Sequence, residues 1–291
     1  MNNINKGNDE FKRVRAIDLW INLEHVFDPV SGEIPDWLIR VKEDTFHVGD
    51  EFFKTYSVNE LVAIMDDAGV VKGVLNTYAA RPSEFVLDFV RQRPDRFVLS
   101  AEVNPLGMMK ELWALEGLVN EFPVVMARVV PFFYDMPPSD AVYYPLYTKC
   151  VELDLPISIN TGIPGPPMPG ECQNPMHLDK VCLRFPDLRI CMAHGADPWW
   201  DWAIRLMIKY KNLRLMTSAY LPKYLPPQLI HYMNTRGQDR IMFASDLPIL
   251  MPDRCIKEAQ KLDFREGVLD RYLYQNAEAF FFRQRNPRYG K

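Results

Sequence analysis

Residues 124–130 read VVMARVV, an apolar run of strand length with a single arginine set into it. An apolar run of this kind suits a strand covered on both faces, as in a parallel sheet. Working outward, seven more such runs appear: VRAIDL (14–19), VKGVLNT (71–77), FVLSAEV (97–103), PISIN (156–160), RICMAH (189–194), LRLMTS (213–218) and IMFAS (241–245). Stretches with apolar spacings of three and four separate them, at 57–68, 82–93, 109–122, 141–153, 175–185, 198–210 and 226–235. Ser57 with Glu60 three residues on has the pattern of a helix-opening capping box. Strands alternating with helices predict an α/β parallel sheet, and eight units predict closure into a (β/α)8 TIM barrel.

The chain has 291 residues, of which 48% are hydrophobic. A single barrel domain over residues 14–291, behind a polar tail at 1–13, uses nearly all of it. The irregular stretch from Val26 to Tyr56 reads as a long loop or cap after the first strand. The net charge of -4 is spread without blocks of like sign, which gives no case for nucleic acid or an anionic membrane surface. No secretory h-region is visible in residues 2–15, and no apolar stretch approaches the ~20 residues of a membrane span. The five cysteines, Cys150, Cys172, Cys182, Cys191 and Cys255, are odd in number and lack a C-x-x-C pair. They read as free thiols in a reducing, cytoplasmic compartment rather than as nucleophiles.

In a barrel, the residues at the C-terminal ends of the strands face the site. Here these are Trp20 and Asn22, Thr77, Asn104, Arg128, Asn160, His194, Ser218 and Asp246. Asn and Ser also favour turns, which accounts for part of this polarity. Turn formation does not account for Arg128, because a charge inside an apolar run needs a partner or a ligand. The Gly/Pro-rich GIPGPPMPGE (162–171) lacks either phosphate-loop pattern and reads as a stiff rim loop. Trp199, Trp200 and the aromatics of PFFY (131–134) are candidates for the wall of the site, with ordinary packing as the competing account.

From residue 155 onward the text becomes specific: LPISINTGIPGP, HLDKVCLRFPDLRICMAHGADPWW, YKNLRLMTSAY, RIMFASDLPIL and YQNAEAFFF. These segments resemble the amidohydrolase superfamily. The likeness is to the amidohydrolase-related branch that includes aminocarboxymuconate-semialdehyde decarboxylase and the hydroxybenzoate decarboxylases. The resemblance implies a distorted TIM barrel, usually a homodimer, acting on a small-molecule substrate. It also implies a divalent-metal site: Asp-x-His-x-His ends the first strand, a His ends each of the fifth and sixth, and an Asp ends the eighth. In this chain Trp20, Asn22 and Asn160 stand at three of those positions, and His194 and Asp246 match the other two.

Catalytic zinc wants about three protein ligands drawn from His, Cys, Asp or Glu. An indole offers no free lone pair and an amide oxygen is a poor zinc ligand. The expectation is therefore no cofactor, with a zinc site rebuilt through Glu24 or His25 as the alternative. Acid–base chemistry then remains, with Asp246 as base and His194 as its partner. Arg128 is expected to clamp a carboxylate. Asn22 and Asn160 would donate to a substrate oxygen, and Trp20 and Trp199 would wall a flat ligand. A lactonase of the same superfamily works without metal and shows that such chemistry is feasible. Three functions follow: a metal-independent hydrolase or carbon–carbon lyase for a small carboxylated or cyclic carbonyl compound, a metal-dependent hydrolase or decarboxylase with altered ligands, or a non-catalytic ligand-binding or partner-supporting barrel.

Overall fold

The structure, a computed structural model, describes residues 14–23, 34, 36–45, 47 and 49–287. The tail at 1–13 and both Glu24 and His25 lie outside the described residues. Each of the eight apolar runs supplies a strand: β1 Ala16–Ile21, β2 Val70–Tyr78, β3 Phe97–Glu102, β4 Val124–Val129, β5 Ile157–Asn160, β6 Ile190–Ala193, β7 Leu213–Met216 and β8 Ile241–Met242. All neighbours pair in parallel in the order β1 to β8. A bridge between Ile21 and Leu247, with Asn22 N donating to the Leu247 carbonyl at 2.8 Å, joins the last strand to the first. The domain is thus a single TIM barrel.

The helices are α1 Asp36–Arg40, α2 Val58–Ala68, α3 Glu84–Gln92, α4 Met108–Glu121, α5 Tyr144–Glu152, α6 Leu178–Arg184, α7 Trp200–Lys209, α8 Pro227–Met233, α9 Pro252–Ala259, α10 Val268–Asp270 and α11 Asn276–Phe281. The capping box of α2 is present: Glu60 N donates to Ser57 Oγ at 3.3 Å, and Ser57 N donates to Glu60 Oε2 at 2.8 Å. Helix α2 ends on Gly69 at φ 77, where a Cβ would come within 2.3 Å of the Val14 carbonyl oxygen. Both the left-handed backbone and the contact with main chain oppose a side chain there, so Gly69→Ala is expected to lower stability by about 2 kcal/mol or more, read as the shift in urea midpoint.

Two features depart from the expected layout. Helices α9 to α11 follow β8 in a region given no helix by the spacing of apolar residues. The expected strand 241–245 also pairs for only two residues. Beyond Met242 its donors turn to other partners, Phe243 N to the Tyr272 carbonyl and Ser245 N to the Asp18 carboxylate, at 3.0 and 2.8 Å.

Side-chain parity decides what the barrel encloses. On β2 to β8, Leu75, Leu99, Ala101, Ala127, Val129, Ile157, Ile159, Ile190, Leu213 and Ile241 pack outward in the cluster beneath the helices. The alternate positions turn inward. Val74, Val98, Met126, Cys191, Met216 and Met242 form an apolar interior plug with Ile17 and Leu19, sealed by Phe280 and Phe281 of α11. Towards the strand C-termini the same inward parity becomes polar, with Asn76, Ser100, Glu102, Arg128, Ser158 and Asn160. The register of β1 slips between Asp18 and Ile21, and Leu19 and Trp20 both join the interior cluster. Asp18 is buried behind the strand, accepting from Ser245 N and Oγ. Ser245→Ala, which leaves that buried carboxylate one donor short, is expected to cost about 1–3 kcal/mol in thermal unfolding.

Candidate active site

The open rim encloses a cavity of about 620 Å³, and Trp20, Asn22, Arg128, Asn160, His194 and Asp246 all line it. Six of the seven residues expected there are therefore brought together. Trp199 is not among the lining residues. The preceding turn, Asp197–Pro198, supplies that part of the wall, and Trp200 packs inward, donating Nε1 to Asp197 Oδ1 at 3.1 Å. Thr77 and Asn104 also fall away from the site. Thr77 has the outward parity of Leu75 and accepts from Ser83 N at 2.9 Å, while Asn104 lies past its strand and caps Leu106 N. Their inward neighbours Asn76 and Glu102, which the sequence reading passed over, take part instead.

Asp246 is buried at the end of the β8 run, and its Oδ1 accepts from Asn22 Nδ2 at 2.8 Å. Asn22 Oδ1 in turn accepts from Asn76 Nδ2 at 2.6 Å, so both ends of the Asn22 amide are committed. His194 Nδ1 stands 3.8 Å from Asp246 Oδ2. The Trp20 ring meets the imidazole edge-on, with centroids 4.5 Å apart, and the Arg128 guanidinium lies over the Trp20 ring at 4.4 Å from its centroid. Arg128 Nη2 donates to Glu102 in a buried ion pair, while its Nε and Nη1 have no side-chain or backbone partner. A free end-on fork for a carboxylate is thus not available, because Glu102 holds one of its two prongs.

The main chain aims these groups. His194, Ala219 and Asp246, just beyond β6, β7 and β8, have φ of 62, 64 and 67, the left-handed region that non-glycine residues seldom adopt. His194 N donates to Ser218 Oγ at 3.0 Å, which fixes the first of these turns. Gly195 follows at φ 67, where a Cβ would meet the Trp200 ring at 2.3 Å.

Electrostatics set the protonation of the pair. Burial pushes the Asp246 carboxyl up to about 7, against the Asn22 hydrogen bond and the Arg128 charge, with Asp18 adding to the rise. Burial likewise raises Asp18 to about 6 despite its bonds from Ser245 and Trp20. Burial first, and then the Arg128 charge, hold the His194 imidazole below its ordinary value, so it is neutral at pH 7. The two carboxyls titrate higher folded than unfolded. Each adds stability that is complete below about pH 4 and is lost as pH rises through 6 to 7. His194 acts oppositely: its contribution is present above about pH 6.5 and is lost as pH falls below that value. Between pH 6.5 and 8 His194 no longer contributes while Asp246 still titrates, with the buried thiols adding in the same direction as their unfolded forms begin to ionise, so unfolding free energy is expected to decline there. Asp246→Asn should flatten that decline and exceed the parent at pH 8 by on the order of a few kcal/mol. Urea titrations at the two pH values check this.

The donors described at the rim do not by themselves make a transition-metal site; Glu24 and His25, the alternative ligands, lie outside the described residues. Among the described residues no three of His, Cys, Asp or Glu stand together as a metal-binding group. Trp20 presents an indole, the Asn22 amide is hydrogen-bonded at both ends and is a poor zinc ligand, and His194 with Asp246 makes two donors.

An eight-stranded parallel barrel whose polar side chains gather at the strand C-termini belongs to the class of TIM-barrel proteins that carry their site on that rim. The family model described as amidohydrolase matches residues 17–283, and the chain belongs to that family, as an enzyme of hydrolase or carbon–carbon lyase type. No curated protein matches it in sequence. Among solved structures, it is similar to an uncharacterised TIM-barrel protein from Bordetella bronchiseptica, with TM-score 0.74 and 20% identity over 92% of this chain and 98% of that one. It is also similar to 5-carboxyvanillate decarboxylase from Sphingomonas paucimobilis, with TM-score 0.70 and 16% identity over 92% and 99%. A third similar structure is a 5-carboxyvanillate decarboxylase of Novosphingobium aromaticivorans, with manganese and a nitrobenzoic acid bound, at TM-score 0.67 and 15% identity over 92% and 97%. At these identities the likeness is one of fold.

Proposed function

We propose that the chain is a metal-independent carbon–carbon lyase that decarboxylates a carboxylated ring compound, with Asp246 as the acid–base group and His194 as its neutral partner. The observation that carries this reading is the Asp246 carboxyl: buried, held by Asn22 and pushed up to about 7, it offers both protonation states at neutral pH. In its neutral form it protonates the ring carbon that bears the carboxylate. The electrons of the breaking C–C bond return to the ring, CO2 leaves, and the Asp246 carboxylate recovers a proton from water. Arg128, which lines the floor, offsets the anionic charge of the substrate, and Asn160 beside it meets a ring substituent. Trp20 supplies a flat wall. The same value near 7 favours a second reading, in which ionised Asp246 takes a proton from water attacking a lactone or other cyclic carbonyl compound.

The decisive experiment is turnover of ring acids in heavy water. The product is expected to carry deuterium at the carbon that lost CO2, at a rate unchanged by chelators. Stoichiometric tightly held metal, with activity lost on its removal, would overturn the metal-free assignment. The five cysteines are free and buried, in keeping with a cytoplasmic, reducing setting, and no helix among the described residues is long and apolar enough to cross a membrane. We also infer a homodimer from the family resemblance, which sedimentation of the purified protein tests.

A further inference from the structure

The cavity is divided by chemistry along its depth. Its floor is polar and comes from strand ends. The walls above come from loops and the cap segment, and are apolar: Trp37, Phe52, Phe132, Phe133, Ile163 and Ile249. Trp37 and Phe133 meet edge-on at 6.0 Å, and Phe132 and Phe133 at 4.6 Å, which links the cap to the loop after β4. Three polar residues off the strand ends also line it, Gln173, Asp197 and Tyr220, the last meeting the Trp200 ring edge-on at 5.3 Å. Gln173 Nε2 donates to the Gly162 carbonyl at 2.8 Å, and Asp197 accepts from Trp200. At about 620 Å³ the cavity lies mid-range among those that enclose drug-sized ligands. A single carboxylated ring seated on the floor leaves the aromatic upper part unfilled.

We propose that the substrate is amphiphilic: an acidic ring on the polar floor joined to an apolar body of at least one further ring, which the Trp37–Phe133–Phe132 wall encloses. The acidic head rests on the function proposed above, whereas the apolar body follows from the walls alone. Recognition of the body is by burial of apolar area and edge-on ring contact, so affinity grows with the size of the body until the cavity is full.

Calorimetric titration tests this without turnover, using 2-hydroxybenzoate, 1-hydroxy-2-naphthoate and 3-phenyl-2-hydroxybenzoate on the full chain. Affinity is expected to rise about tenfold from 2-hydroxybenzoate to either two-ring acid. Trp37→Ala is expected to remove about tenfold from the largest acid and less than twofold from 2-hydroxybenzoate. Phe133→Leu, which keeps apolar bulk, provides a second variant with a smaller loss of the same pattern. Affinities that stay equal or fall with ring count overturn the inference, as does an equal loss for all three acids in both variants. A parallel series of neutral carboxamides separates the two readings. If affinity follows ring count in the amides and the acids gain nothing over them, the acidic head falls and the apolar body stands. If acids bind better than amides but independently of ring count, the apolar body falls and the acidic head stands. Failure of every member of both series to bind overturns the inference.

Discussion

Asp246→Asn is expected to lower turnover of an accepted ring acid by about 10²–10⁴-fold, the range that a positioned acid–base group supplies. The amide keeps the shape of the carboxyl, and its oxygen still accepts from Asn22 Nδ2, so the floor of the cavity is unchanged. It loses the transferable proton. KM should move little, because Asp246 acts on the reacting carbon rather than on the anion that anchors the ring. The folded variant, shown by an unchanged circular dichroism spectrum, is the necessary control. Retention of parental kcat in that variant removes Asp246 from the chemistry.

The second large effect is on stability. Glu102 and Arg128 are paired at the inner ends of β3 and β4, with side chains 5% and 9% exposed. Removing one partner leaves the other as an uncompensated buried charge. Arg128→Met is therefore expected to destabilise by about 3–5 kcal/mol, seen as a fall in urea midpoint. The methionine keeps much of the contact with the Trp20 face, so lost packing is a minor part of this. The double change Glu102→Leu with Arg128→Met should recover most of the loss, because an apolar pair of similar volume needs no charge compensation. If the double variant is no more stable than Arg128→Met, the penalty lies in packing and the charge argument is wrong. The single variant should also fail to bind ring acids with parental affinity, since among the described residues no other Arg or Lys lines the cavity.

The barrel was legible because a parallel strand buried on both faces needs a mostly apolar run, and this chain has eight of them. The ends of those runs were less legible. A strand turns alternate residues to opposite faces, and a polar residue at a strand end reveals its parity only when the register is known. Thr77 and Asn104 looked equivalent to Arg128 and Asn160, but Asn76 and Glu102 carry the inward parity. Glu102 had a usable signal, a carboxylate at the end of FVLSAEV, which matches the charge of the arginine in VVMARVV on the next strand. Trp20 and Asn22 both line the cavity although strict alternation does not carry through β1, because its register slips between Asp18 and Ile21, an interval that contains Trp20. Trp199 was misplaced because a helix entry sends consecutive side chains in divergent directions, and no periodicity had yet begun to say which of the two tryptophans faces inward.

The left-handed turns after β6, β7 and β8 bear on any attempt to transplant this chemistry. His194 and Asp246 owe their aim to main-chain dihedrals that a histidine or an aspartate adopts only under constraint, each costing about 1–3 kcal/mol. Copying the two side chains onto the matching strands of another barrel, with ordinary extended backbone, would therefore point them elsewhere. The transferable unit is the strand end with its turn, and a scaffold that cannot hold that bend will carry the residues without the site.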